Sequence, residues 1–290
     1  MVYIRAKKVK SDNYLYLVKS VWDSKKNTSK QEIVKYLGKA SEVIKEDIPI
    51  EFRNDSKILA VLASHNPKDI AKREESTKKS KQMLYKKLTE GDIQSSVKIY
   101  QEYIKIFNPG DFFDKILRPV MYKIGEDWAS NTISIATEHV ASNVAQILVK
   151  IIMDEVTGAA NKKKILVCVP LGEEHHLGCD VLETYLSIKG FKVYNIATSI
   201  PTESILSFIE YNKPDIVLIS ITLEDNISAG QRLVKKIKDQ YDVPILVGGF
   251  AFQSEKVHKF NAKVIPDVNL EEIPRILRAA WFKHHKKILR

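Results

Sequence analysis

From about residue 165 onward the chain alternates, and this constrains its fold more than anything else. Short β-branched runs at 165–169, 193–197, 215–222 and 243–247 are separated by helix-length segments at 180–189, 202–211 and 229–240. Strands that each follow a helix must pair in parallel, because the crossover returns the chain to the same end of the sheet. The reading for 162–290 is therefore an α/β Rossmann-like (flavodoxin-like) parallel sheet. Val264-Ile265 is a candidate fifth strand and 270–282 a closing helix. Ligands of such sheets sit outside the C-terminal strand ends, so the loops after the strands are where chemistry is expected.

Upstream the period changes. Segments 68–88, 93–106, 112–128 and 134–156 have helical spacing. Phe113, Ile116, Leu117, Met121 and Ile124 form one stripe, and Ala141, Val144, Ala145, Leu148 and Ile152 another. Pro119 predicts a kink, and Ser130-Asn131-Thr132 a break with N-cap candidates. Four helices with short loops predict an up-down four-helix bundle over 68–157, joined to the sheet domain by a linker at 158–164. Residues 2–8, 14–22 and 31–37 read as strands of a small N-terminal β-meander, with Asp12-Asn13 and the polar stretch 25–29 as turns. So small a piece buries little apolar surface. The expected order is a basic β-rich module over 1–50, with a polar stretch at 42–57, then the bundle, then the sheet domain.

Composition narrows the class. Hydrophobic residues at 44% and charged residues at 28% belong to a folded chain, not a disordered one. The apolar runs fall well short of the ~20 residues a membrane span needs. The opening MVYIRAKKVK lacks the apolar core of a signal peptide. Cys168 and Cys179 are the only cysteines, which excludes a disulfide scaffold and a Cys-rich zinc site. A cytoplasmic, non-membrane protein is the expectation. The net charge is +10, of which +9 lies in the first hundred residues. A polyanion such as DNA is thus a candidate partner of the basic N-terminal third, with a solvated surface as the alternative.

The loop after the first run reads Pro170-Leu-Gly-Glu173-Glu174-His175-His176-Leu-Gly178. A histidine with a carboxylate two residues away is a candidate metal ligand: the carboxylate holds one ring nitrogen and frees the other. Gly178 leaves the backbone approachable. The third run ends on Ser220-Ile-Thr222 and the fourth on Gly248-Gly249. No phosphate-loop pattern is present.

Together these positions resemble a known family. Glu173-x-His175-x-x-Gly178, 41 residues, Ser220-x-Thr222, 25 residues, Gly248-Gly249 is similar to the pattern of the cobalamin-binding domains of methionine synthase, methylmalonyl-CoA mutase and corrinoid proteins. The resemblance implies that His175 is the lower axial ligand of cobalt and that Glu173 orients it. It implies that Ser220 and Thr222 line the slot for the benzimidazole tail, and that Gly248 and Gly249 give it room. The spacing selects His175 over His176. The family often has Asp at the first position; Glu173 is a mild departure.

Trp128, nine residues, then Glu138-His139 is a second feature. On its own residues Trp128 is a core candidate, and Glu138 is a helix-start charge. Beside a cobalamin domain, the spacing resembles the Trp-x9-Glu-His signature of CarH-type light-sensing regulators. This implies that Trp128, Glu138 and His139 surround the 5′-deoxyadenosyl group of adenosylcobalamin. Two departures stand out. Ala129 follows Trp128 where some light sensors carry a histidine close by, leaving His139 as a candidate substitute. The chain also opens on a β-meander instead of a MerR-type winged helix. The implied function is an adenosylcobalamin-binding, light-responsive photoreceptor. It acts in transcription regulation through DNA binding or a change of homo-oligomer. The alternative is a corrinoid protein carrying methyl groups for a methyltransferase system; a cobalamin store is a third. No self-contained catalytic site stands out, so a non-enzyme is expected.

Overall fold

The computed structural model describes residues 2–10, 12–23, 28–65, 67–105, 107–155, 163–252, 260–266 and 268–288. Most of the expected 158–164 linker and of the 25–29 turn lies outside these residues. The chain divides into two compact units, residues 1–79 and 80–290.

The first unit opens with strands β1 (Val2–Val9), β2 (Asp12–Asp23) and β3 (Thr28–Lys39), paired antiparallel in the order β1-β2-β3. Lys10 takes the left-handed conformation, with φ 56°, in the turn between β1 and β2. Ile4, Leu15 and Leu17 pack on Val43, Ile48, Ile58 and Leu62. The last two belong to a helix, α1 (Ser56–Ala63), that begins at the end of the polar stretch expected at 42–57. Its N-cap, Asp55, accepts from the amides of Lys57 and Ile58. This helix, with Val43 and Ile48 on either side of the 3-10 turn Lys45–Asp47, supplies the apolar cover that the meander lacks by itself.

A long helix, α2 (Pro67–Thr89), leads into the second unit, followed by α3 (Ile93–Ile104), α4 (Pro109–Phe112), α5 (Arg118–Ala129) and α6 (Ile135–Asp154). Pro119, where a kink is expected, stands in the first turn of α5. A π-helical turn, Phe113–Leu117, joins α4 to α5 without a break. Proline has no N–H for the carbonyl one turn back, and the wider turn lets the helix absorb that loss. Asp92, Asn108 and Ser134 cap α3, α4 and α6.

Strands β4 (Lys164–Cys168), β5 (Lys192–Asn195), β6 (Ile216–Ser220), β7 (Ile245–Gly248) and β8 (Lys263–Val264) form a parallel sheet in the order β5-β4-β6-β7-β8. Between them run α7 (Leu177–Ile188), α8 (Thr202–Asn212) and α9 (Ile227–Gln240), and α10 (Ile273–Ile288) closes the unit. The strand order is the flavodoxin-like one, and its switch point falls between β4 and β6. Leu148, Val149 and Ile152 of α6 share one core with Ile165 and Val167 of β4 and Tyr185 and Leu186 of α7. Leu166, Val217, Ile219 and Val247 point the other way, into a second core with α8 and α9. The helices thus cover both faces of the sheet and leave the C-terminal strand ends to the loops.

Candidate functional site

The loops after β4 and β6 flank the switch point, and Glu173 ties them together. Its side chain is fully buried, an arrangement a carboxylate tolerates only when its oxygens are satisfied. One oxygen accepts from the His175 amide at 3.1 Å and from His175 Nδ1 at 2.7 Å. The other accepts from the amides of Thr222 at 2.8 Å and Leu223 at 3.1 Å, and from Asn226 Nδ2 at 3.0 Å. Burial on its own pushes the Glu173 carboxyl up. The hydrogen bonds from His175, Asn226 and the two amides outweigh it and hold the pKa at about 2. Glu173 is therefore held as an anion that joins the two loops.

His175 is the counterpart. The hydrogen bond from Nδ1 to Glu173 raises its pKa, partly offset by burial. With Nδ1 engaged, Nε2 is left, and the side chain is 54% exposed. This is the arrangement of a histidine held ready for a metal. His176 differs: its Nδ1 engages the Glu174 carbonyl, and its Nε2 lies 3.9 Å from Asp180. Gly178, in the first turn of α7, has no atom within 4 Å of where a Cβ would stand and needs no unusual φ.

Gly248 and Gly249 close the other side. Gly248 pairs with Ser220 across β6 and β7. At Gly249, where φ is 117°, a Cβ would collide with the backbone of Ile221; at Gly248 it would come within 3.1 Å of the Ile265 carbonyl. The room these glycines make is taken first by neighbouring backbone, a reason for glycine that the sequence did not disclose.

Of the other expected residues, Trp128 departs from the core reading. It sits in the last turn of α5 and is 47% exposed. Glu138 stands in the first turn of α6 and accepts from Ser142 Oγ at 2.6 Å, while its other oxygen meets His139 Nδ1 at 2.6 Å. A five-residue loop joins α5 to α6, so the three residues share one end of a helical hairpin. The negative charge of Glu138 adds to the upward push on His175, which brings this end of the hairpin into electrostatic reach of the sheet loops. Leu171, Leu223 and Phe250, in the loops after β4, β6 and β7, are large apolar side chains left exposed.

Asn226 and the Leu223 amide were missed by sequence reasoning. A polar residue just before α9 was the available signal for Asn226, but its neighbours Glu224 and Asp225 are equally polar. Ser199, which accepts from the Gly172 amide at 2.8 Å, carried no signal.

Among the described residues no group of three or more His, Cys, Asp or Glu could hold a metal ion. A corrin brings four nitrogen ligands of its own and asks the protein for a single imidazole, so the donor set fits that cofactor. Cys168 and Cys179 are buried free thiols, and burial pushes both up, Cys168 to about 12. No described helix is long and apolar enough to cross a membrane.

Residues 163–268 match the family model of a B12 binding domain, and residues 81–153 match a second B12 binding domain model. The chain is thus a B12-binding protein, with a helical and a Rossmann-like B12-binding domain. Its relatives include the HTH-type transcriptional repressor CarH of Myxococcus xanthus, 23% identical over 160 residues, or 54% of this chain and 53% of the repressor. The chain therefore spans about half the length of that relative. The trimethylamine corrinoid protein of Methanosarcina barkeri is 22% identical over 181 residues, 59% of this chain and 82% of that protein. The structure of the Methanosarcina barkeri monomethylamine corrinoid protein aligns with a TM-score of 0.55 and 15% identity, covering 68% of this chain and 96% of that one. At that identity the likeness speaks for the fold.

Proposed function

We propose that the chain is an adenosylcobalamin-dependent, light-responsive regulator that holds its cofactor between the helices and the parallel sheet. The observation that carries this reading is the half-exposed indole of Trp128, on the same hairpin end as a Glu138 whose charge reaches His175. Leaving a large aromatic face in water gains a protein nothing, and a flat adenine would cover it. Glu138, steadied by Ser142 and His139, keeps lone pairs for a ribose hydroxyl.

Bound adenosylcobalamin supplies a cobalt–carbon bond that light breaks. The chain supplies the rest. His175 would hold the cobalt through Nε2, with Glu173 fixing its ring. Gly178 keeps the start of α7 bare for a bulky group. Ser220 and Thr222 line the slot for the benzimidazole tail, with Gly248 and Gly249 at its far wall. Trp128, Glu138 and His139 form the upper pocket. The basic N-terminal third contacts DNA, and the helices around Trp128 relay the state of the upper face as a change of assembly.

The match over 82% of a trimethylamine corrinoid protein favours a second reading, a carrier of methyl groups. That reading shares His175 but has no use for Trp128 and Glu138. The deciding experiment is to add adenosylcobalamin and methylcobalamin separately in the dark and follow the absorption spectrum before and after illumination. Selective retention of the adenosyl form, lost in Trp128→Ala, is expected; retention of methylcobalamin alone would leave the carrier. In His175→Ala the cofactor's own base or water replaces the imidazole, and an unchanged spectrum would refute the ligand role.

A further inference from the structure

The three-stranded sheet of the first unit has two unlike faces. Residues opposite each other in an antiparallel sheet share a face. Ile4 faces Leu17 across β1 and β2, and both enter the core under α1. The alternate residues make the outer face. Across it Lys7 stands opposite Tyr14, and Arg5 opposite Tyr16, which in turn faces Tyr36 with ring centroids 5.1 Å apart. Lys39, next to Tyr14 in this array, is paired at 3.1 Å with Asp12.

The face continues beyond the reach of β1. β1 pairs only as far as Lys19, whereas β2 and β3 remain paired to Asp23 and Thr28. This end is a two-stranded ribbon. Trp22 is 63% exposed on it, and Gln31 accepts from Arg5 Nη1 at 2.6 Å. The aromatics of this face, Trp22 and Tyr36 the most exposed, present ring surface to solvent, and the Tyr16–Tyr36 pair also steadies the sheet. Here they alternate with cations in the part of the chain that carries +9 of the net +10 charge.

We infer that this outer face is the surface on which the chain docks duplex DNA, with the ribbon in the major groove. Strands lie ~4.8 Å apart, and a two-stranded ribbon with its side chains matches a groove about 12 Å wide. Arg5 and Lys7 reach phosphates, and Gln31 offers an amide to base edges. This rests on the DNA-output half of the proposed function and is independent of the cobalamin half.

The test uses the full chain, a labelled mixed-sequence 30-bp duplex (length of about three turns at ~10 bp each) and fluorescence anisotropy across a salt series. Arg5→Ala with Lys7→Ala should weaken binding at least tenfold at 0.1 M salt and flatten the slope of log affinity against log salt by about 1.8, near 0.9 for each lost phosphate contact. Arg232→Ala with Lys235→Ala removes the same charge from exposed positions of α9 and should change neither quantity appreciably. Equal loss in both pairs, tighter binding to the single strand than to the duplex, or no duplex binding at 0.05 M salt would each overturn the assignment. Thermal unfolding and the dark cobalamin spectrum are recorded for every variant. Lost DNA binding with an intact spectrum indicts this surface alone, and a lost spectrum with intact DNA binding indicts the cofactor reading alone.

Discussion

Gly178 occupies the first turn of α7, where neither its φ nor any protein atom within 4 Å of a Cβ asks for glycine. Glycine in a helix gives away up to ~1 kcal/mol relative to alanine. Gly178→Ala should therefore leave the melting temperature unchanged or raise it, while weakening cobalamin binding at least tenfold in a spectroscopic titration; undiminished affinity would show that the bare backbone serves no ligand. Glu173 is the opposite case, a residue the protein needs even without ligand. A glutamine there would turn an NH2 toward amides that now donate to the carboxylate. Glu173→Gln should cost about 1–3 kcal/mol in urea unfolding of the cofactor-free chain. Of these two residues, the sequence made the His–carboxylate pairing legible from spacing alone. It could not tell that Glu173 also gathers Thr222, Leu223 and Asn226, because that requires two loops about fifty positions apart to meet.

Most elements were legible because each carries its period and its stop signals. The parallel sheet, its order of strands and helices, and the helical region all follow from alternation and spacing. α1 was not legible: Ser56–Ala63 is short and largely apolar and follows a polar stretch, so its two turns were too brief for a period to stand out. The π-turn before Pro119 was not legible either, since a proline in a helical stripe signals disruption without saying how the helix accommodates it. Two tests belong to this scale. Gly249→Ala would force a Cβ onto the Ile221 backbone at a φ of 117°, joining overpacking to backbone strain, and should destabilise the chain by about 3 kcal/mol. Asp92, the N-cap of α3, is held at about 2 by hydrogen bonds from Ser95, and its nearby lysine adds to this. A depressed carboxyl stabilises the folded chain above its unfolded pKa of ~4 and loses that contribution as pH falls toward the folded value. Asp92→Ala should lower the melting temperature at pH 7, and the gap from the parent should narrow between pH 4 and pH 2; a gap that stays constant would remove the cap's charge from the explanation.

At the scale of the whole molecule, the proposed cofactor site lies within residues 80–290 and the proposed DNA surface within residues 1–79. Cobalamin is expected to stabilise residues 80–290 by mass action, about 2.7 kcal/mol at a hundredfold excess over Kd. It should leave the transition of residues 1–79 where it was, which calorimetry resolves if the units melt separately. The parallel sheet also provides a clock for its own site. The amides of Thr222 and Leu223 lie in a loop, where exchange with deuterated solvent is ordinarily fast, yet both end on a buried carboxylate. Their exchange rates therefore report, from across the switch point and without any label, whether the loop that carries His175 is still in place.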